Sequence, residues 1–409
     1  MEKKDFRIRR FDLDFEDYKA REGRYKIHDY PAMLHYKVVE KLISEYGKGA
    51  TILYDPFCGS GVSLVEGLKQ GKKVIGTDIN PLALLIADVR TQNLCYDELI
   101  EVLAKIKNLF SNVAADIPRV KNLNYWFKDN VINDLGKLRS VIKLFCNEHF
   151  YKFLLVVFSQ TVRNVSNNRR GEFKRYRINQ KKLESYNPIV FQEFEKIYLE
   201  FAEVFYNDSI KMLGEKILLL KDVRTNIEFN ADFIITSPPY GDSKTTVAYG
   251  EFSSFSLDWL IDLNPYGNPC ENIDKLSLGG KNSKNISMEI NSHVKEINDK
   301  LCYIDKNRAK KIISYFDDLF LACENISKIL LGKAKVIFVV GNRKVKGIEI
   351  PTDIIIKEYF EALGMKHINT FVRKISNKRM PLLNSPTNKS GEVQETMAYE
   401  YIVIMEKIA

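Results

Sequence analysis

The sequence predicts an α/β fold, a doubly wound parallel sheet interrupted by a mostly helical insertion. Three observations predict it. Strand-like and helix-like runs alternate over 51–90 and resume from Lys216. Between them, 92 to about 215 carries helical apolar spacing with few turn signals. Two apolar runs stop abruptly on stiff or glycine-rich loops, one at DPFCGSG and one at TSPPY.

Thr51-Ile52-Leu53-Tyr54 reads as a short strand, and Asp55 to Gly61 (DPFCGSG) follows it. Val62, Leu64, Val65 and Leu68 then recur at helical spacing, and Gly71 ends that helix. Lys73-Val74-Ile75-Gly76 is the next strand and runs into Thr77-Asp78-Ile79-Asn80-Pro81, where a further apolar helix opens. In the insertion, Leu99, Val102, Leu103 and Ile106 share one helix face, as do Val141, Leu144 and Phe145. Asn124-Tyr125-Trp126-Phe127 reads as core. From Lys216 the strands return at Ile217–Leu220 and Phe233–Ile235. Residues 241–310 are rich in Asn, Ser, Gly and Lys and read as a long polar loop region. An amphipathic helix over 311–331, a strand from Lys335 to Val340 and a helix over 352–363 follow. Phe371–Ile375 and Tyr399–Met405 read as a closing antiparallel pair. The expected division is 1–91 with 215–409 as one catalytic domain and 92–214 as a target-recognition insertion.

Bulk properties narrow the class. Hydrophobic residues make up 45% and charged residues 28% of the 409, as in soluble globular chains. No apolar run is long enough for a bilayer and the start, MEKKDFRIRR, is not a signal peptide, so a cytoplasmic protein with no membrane partner is expected. Cys58, Cys95, Cys146, Cys270, Cys302 and Cys323 form no CxxC pair and the five histidines are scattered, so neither a disulfide framework nor a metal site is expected. A net charge of +9 makes polyanions plausible partners.

The chemistry starts at the two loops. Glycines between a strand and a helix let a ligand approach the backbone and the amides of a helix N-terminus. The loop is neither GxGxxG nor GxxxxGK[ST], so a nucleoside fits it better than a dinucleotide or a triphosphate. Asp78 ends the second strand, where a carboxylate can accept from ribose hydroxyls. By these residues alone, a glycine turn with Asp78 as a helix cap remains an equal alternative. At Ser237-Pro238-Pro239-Tyr240 neither proline can donate to a sheet, so the strand stops and a rigid loop begins.

DPFCGSG, then TDIN, then TSPPY, resembles the amino-methyltransferases that modify exocyclic amines of DNA bases with S-adenosylmethionine. The resemblance spans about 25–90 and 215–409. It implies a Rossmann-like methyltransferase sheet. It also implies that Asp55, Phe57, Gly59, Ser60 and Gly61 wrap the methionine and sugar of the cofactor. Asp78 would take the ribose hydroxyls, Ile79 and Asn80 would lie by the adenosine, and Asp222 would contact adenine. Tyr30-Pro31 resembles the segment over the methionine end. Ser237, Pro238, Pro239 and Tyr240 would form the catalytic loop. Ser237 Oγ and the Pro238 carbonyl would accept the amine hydrogens, and Tyr240 would stack on a base flipped out of the duplex. Cys58, in a cofactor loop, is a poor nucleophile, which argues against cytosine-C5 chemistry. In this family SPPY usually accompanies cytosine N4, whereas DPPY or NPPY usually accompanies adenine N6. The implied enzyme is a site-specific DNA methyltransferase of a restriction system, acting beside a separate cognate endonuclease. Adenine N6, an RNA base and a fold kept for DNA binding alone are the rival readings.

The strip RNVSNNRRGEFKRYRINQKK, Arg163 to Lys182, holds eight basic residues against one acid, Glu172. Beside a methyltransferase, Arg163, Arg169, Arg170, Lys174, Arg175 and Arg177 are expected on double-stranded DNA. A solvated charged face is the alternative. Lys378 and Arg379, in a second strip from Arg373 to Gly391, are further DNA candidates. Asp242, Ser243 and Lys244 are expected to line the base pocket.

Overall fold

A continuous apolar run sets the centre of the sheet. In the computed structural model, Phe233 and Ile235 point to one face and Ile234 to the other, and all three are fully buried. A strand buried on both sides belongs in the interior of a helix-covered parallel sheet. The structure describes residues 6–408 apart from 209, 244–245, 270, 282–283, 376–382, 385–393 and 396. Eight strands form the sheet: β1 Arg7–Arg9, β2 Ile52–Asp55, β3 Lys73–Asp78, β4 Lys216–Leu220, β5 Ala231–Thr236, β6 Leu330–Val340, β7 Met365–Lys374 and β8 Tyr399–Lys407. Their order is β1-β7-β8-β6-β5-β2-β3-β4. All pairs are parallel except those of β8, which runs antiparallel to both β7 and β6. The expected antiparallel closing pair is therefore present, and β1 extends its edge.

The longer helices are α1 Tyr36–Tyr46, α2 Val62–Lys69, α3 Pro81–Arg90, α4 Tyr96–Phe110, α5 Asp129–Lys143, α6 Tyr151–Val165, α7 Val190–Asn207, α8 Tyr249–Trp259, α9 Ser292–Ile304, α10 Lys306–Lys328 and α11 Thr352–Ala362. Helices α1 and α2 cover one face of the sheet; α9, α10 and α11 cover the other. Among the described residues no helix is long and apolar enough to cross a membrane.

The chain runs from β2 through β3 to β4 on one side, then crosses to β5 and β6 on the other. The direction of winding thus reverses between β2 and β5. At such a switch point, loops from adjacent parallel strands diverge and leave a crevice beyond their carboxyl ends. Leu53 pairs with Phe233 and Tyr54 with Ile234, so DPFCGSG and SPPY leave the sheet side by side.

In the insertion 92–214, α4 to α7 share one apolar core with α3 and α8. All ten residues of α3 are buried, since it lies between the sheet and this core. Two expectations change. The region 241–310 is not a long loop. It holds α8, α9 and short helices at Ile273–Leu276 and Ile286–Ile290. Its polar residues are helix caps: Asn272 accepts from Asp274 N, Asn291 from His293 N and Val294 N, and Asp305 from Arg308 N. Its apolar residues, among them Phe252, Phe255, Trp259, Ile273, Val294, Ile297 and Leu301, are buried anchors. Finally, of Asn124 to Phe127 only Phe127 is fully in the core, while Tyr125 is 49% exposed.

Asp88 ties these layers together. It is 2% exposed and accepts from Lys216 Nζ on β4 at 2.6 Å, from Tyr266 Oη at 2.7 Å and from Lys152 on α6. Asp88→Ala is expected to destabilise the fold by about 2–3 kcal/mol, below the 3–5 kcal/mol of a fully buried pair because both ammoniums reach solvent. The urea midpoint should fall; an unchanged midpoint contradicts this role.

Candidate active site

The loop after β2 is built on two left-handed glycines, Gly59 (φ 49°) and Gly61 (φ 81°). A Cβ on Gly61 would lie 2.8 Å from Ala87 Cβ, so only glycine lets the loop pack on α3. Gly59 N–H donates to Asp78 Oδ2 at 2.9 Å, and Asn80 N–H donates to Asp78 Oδ1 at 2.8 Å. The carboxylate at the end of β3 is thereby locked against the glycine loop. The cap of α3 is Asn80, not Asp78: Asn80 Oδ1 accepts from Leu82 N at 3.1 Å. The Asn80 amide also donates to Tyr30 Oη at 3.2 Å and Ser253 Oγ at 2.8 Å. One side chain thus fixes a helix start, the N-terminal segment and α8.

Asp55 turns inward. Its carboxylate accepts from Thr236 Oγ1 at 2.6 Å, from Phe57 N at 3.1 Å and from Ser63 Oγ. It therefore clamps the glycine loop to the residue just before Ser237. Burial pushes both Asp55 and Asp78 up to about 6. Burial also pushes the Cys58 thiol well up, so it stays protonated.

These groups line a cleft of about 900 Å³, counting its open mouth, within the usual range of ligand sites. Tyr30, Asp55, Phe57, Gly59, Ser60, Asp78, Ile79, Asn80, Asp222, Ser237 and Pro239 all face it. Pro31, Gly61, Pro238 and Tyr240 are not among the residues that line it. Asp222 is clasped by Arg224, whose Nη2 lies 2.6 Å from Oδ2 and whose backbone N–H donates to Oδ1 at 2.9 Å. Arg224 also pairs with Asp318 at 2.8 Å.

The catalytic-loop candidates follow β5 directly. Ser237 Oγ donates to Tyr240 Oη at 3.2 Å, and Tyr240 Oη donates to Glu400 Oε1 at 3.1 Å. The Pro239 carbonyl accepts from Tyr315 Oη at 2.8 Å. Asp242 does not line the cleft. It is 2% exposed and paired with Arg308 at 3.3 Å and Arg343 at 3.6 Å. Lys244 lies outside the described residues, as do Lys378 and Arg379.

Two groups at the site are not evident from local sequence. Tyr249, at the start of α8, stacks on Tyr30 with centroids 5.8 Å apart and faces the cleft. Arg90, fully buried at the end of α3, donates to Ser60 Oγ at 2.7 Å and to the Ile27 carbonyl at 2.6 Å. Burial lowers its guanidinium to about 9. An arginine closing the run PLALLIADVR, apolar apart from Asp88, is the one trace of it in the sequence.

The basic strip is divided in two. Arg163 lies 3.5 Å over the Phe252 ring and donates to the Phe252 carbonyl. Arg175 donates to Ser254 Oγ at 2.6 Å and lies over Phe255, and Arg177 lies over Tyr125 and donates to its carbonyl at 3.1 Å. These three pin the strip to α8 and to Tyr125. Lys174 is half-buried. Arg169, Arg170, Lys181 and Lys182 are exposed, and Arg169, Arg170 and Lys182 edge a shallow groove with Asn168, Asn179 and Tyr186.

No protein-family model matches the chain. The Type II methyltransferase M.MvaI of Kocuria varians is 35% identical over 423 residues, covering 96% of this chain and 93% of that protein. The Type II methyltransferase M.MjaII of Methanocaldococcus jannaschii is 33% identical over 94 residues, 22% of this chain and 18% of that protein. Among solved structures, TrmN from Thermus thermophilus matches at 10% identity with a TM-score of 0.33, over 92% of this chain and 50% of that one. That likeness is too loose to carry a conclusion.

Proposed function

The chain belongs to the Type II DNA methyltransferases, with S-adenosylmethionine as methyl donor, and on that footing we propose that it methylates the exocyclic N4 amine of a flipped cytosine. The observation that carries the amine chemistry is the position of Ser237, and the choice of cytosine follows from the resemblance of SPPY to the cytosine-N4 type. Ser237 directly follows β5, on the wall of the same cleft that Asp78 and the glycine loop line. An exocyclic amine is a poor nucleophile, because its lone pair is delocalised into the ring. Ser237 Oγ and the Pro238 carbonyl would accept its two hydrogens and favour a pyramidal nitrogen. Its lone pair is then free to attack. Alignment of amine and methyl supplies much of the rate. A base within a duplex cannot reach this cleft, so it must be flipped out. Tyr240 would back the base.

The cleft suits the cofactor. Of its three lining carboxylates, Asp78 and Asp222 would offer oxygens to the cofactor, while that of Asp55 turns inward onto Thr236 and Ser63. We assign Asp78 to the ribose hydroxyls, Ile79 and Asn80 to the adenosine side, and Asp222 to adenine. Gly59, Ser60 and Gly61 would shape the loop around the methionine and sugar, with Asp55 and Phe57 at its base. Tyr30 and Pro31 would close the methionine end. The cofactor supplies an activated methyl group on sulfur. A cognate endonuclease acting as a separate protein completes the reading.

Among the basic residues, Arg169, Arg170 and Lys182 are the ones we place on DNA phosphates, because Arg163 and Arg175 are committed to α8. Arg169→Glu with Arg170→Glu should weaken binding to every duplex. The slope of log affinity against log salt should become shallower by about 0.9 for each phosphate no longer neutralised. An unchanged slope removes the strip from the interface.

The base assignment is tested with purified protein, unmethylated DNA and methyl-labelled S-adenosylmethionine. The label should leave the digest as N4-methyldeoxycytidine. Label in N6-methyldeoxyadenosine overturns the choice of base.

A further inference from the structure

Behind Ser237 runs a hydrogen-bonded chain with no direct part in the methyl transfer. Ser237 Oγ lies 3.2 Å from Tyr240 Oη, which lies 3.1 Å from Glu400 Oε1. The second oxygen, Glu400 Oε2, accepts from Arg373 Nε at 2.8 Å. Arg373 is 3% exposed, and its Nη1 donates to the Leu13 carbonyl at 2.8 Å. Glu400 on β8 and Arg373 on β7 stand directly opposite in the sheet register. The chain therefore ends on a rigid, charged pair rather than in solvent.

Direction follows from donor inventory. Glu400, as a carboxylate paired with Arg373, has only lone pairs to offer. Tyr240 has one hydrogen and gives it to Glu400. Burial and then the Glu400 charge push the Tyr240 phenol well up, so that hydrogen stays in place. The phenol oxygen is left as an acceptor and takes the hydrogen of Ser237. A lone serine hydroxyl rotates and serves a donor or an acceptor equally. Here it is committed, and what it presents to the cleft is lone pairs.

We propose that Glu400 is a positioning residue that fixes Ser237 as an acceptor through Tyr240, so that the site takes a base with an amine at the reacting position and rejects one with a carbonyl there. The inference rests on the reading that Ser237 receives the target amine. Cytosine and adenine carry such an amine. Thymine and guanine present a carbonyl oxygen, which would face the Ser237 lone pairs with no hydrogen between them. A buried acceptor pair of that kind costs free energy rather than releasing it. Gly341 supports the arrangement from behind: a Cβ there would come within 2.9 Å of Tyr240 Cδ2 and displace the ring.

A double-mutant cycle tests this with unmethylated genomic DNA as substrate. Glu400→Gln should lower kcat by about 10- to 100-fold, the worth of one charge-assisted hydrogen bond, with KM for S-adenosylmethionine unchanged. Tyr240→Phe severs the chain one link earlier. Adding Glu400→Gln to Tyr240→Phe should then cost nothing more. Losses that multiply in the double variant would show that Glu400 acts only through the sheet, and the proposal fails. A wild-type kcat in Glu400→Gln also overturns it.

A second measurement leaves Glu400 and Arg373 untouched. Wild type and Tyr240→Phe are compared on a duplex with the target cytosine and on the same duplex with uracil there. Freed from Tyr240, Ser237 can donate to the uracil carbonyl, so the preference for cytosine should shrink. An unchanged preference contradicts the proposal. If the wild type makes no methylated amine in DNA, the underlying reading fails instead, whatever the cycle shows.

Discussion

Ser237→Ala is expected to lower the rate of methyl transfer by about 10²- to 10³-fold, the scale for one preorganised polar group aimed at developing charge. Cofactor affinity should not change. The reason for the split is geometric. Ser237 stands at the end of β5, whereas the carboxylates assigned to the cofactor hang from β2, β3 and the residues after β4. Thr236, the residue before Ser237, is tied to the cofactor loop by Asp55, and that tie is untouched. Single-turnover kinetics beside calorimetric titration of the cofactor check both halves. A full rate in Ser237→Ala removes this loop from catalysis.

Asp78→Ala is expected to do the reverse and act on binding. Its carboxylate holds Gly59 N–H and Asn80 N–H and, in our assignment, the ribose hydroxyls. Loss of two hydrogen bonds to a charged group, at about 1.5 kcal/mol each, raises the cofactor Kd about 10²-fold. The same group gives the pH dependence. Burial pushes Asp78 up to about 6. Above that value it is ionised and accepts from the ligand. As pH falls through about 6 it gains a proton, loses acceptor capacity, and cofactor affinity should drop. Asp55 titrates in the same window, so the two must be separated. Asp78→Asn should bind weakly at neutral pH and show a flatter fall toward pH 5. A wild-type Kd in Asp78→Ala, or the full pH dependence in Asp78→Asn, contradicts the assignment.

The sheet and the walls of the cleft were legible because they are local. DPFCGSG, TDIN and TSPPY each sit at the end of a strand, and short, almost continuously apolar and buried runs mark those strands directly. Parallel strands meeting at a switch point bring such loops together whatever the rest of the chain does, so Asp55, Asp78 and Ser237 converge as expected. What escaped the sequence is non-local. Glu400 and Arg373 reach the catalytic loop from the last two strands of the sheet, more than 130 residues on, with no motif of their own. Arg163 and Arg175 look like phosphate ligands because their aromatic partners, Phe252 and Phe255, lie far along the chain. The segment 241–310 reads as loop because Asn and Ser favour turns in isolation, yet here the same side chains cap short helices.

Nucleoside mass spectrometry of genomic DNA tests the central claim most directly. The wild type and Ser237→Ala are expressed in a host without DNA methylation, and the DNA is digested completely. N4-methyldeoxycytidine in the wild type and not in the variant is the predicted result. N6-methyldeoxyadenosine in its place, or equal N4-methyldeoxycytidine from both proteins, would contradict the account.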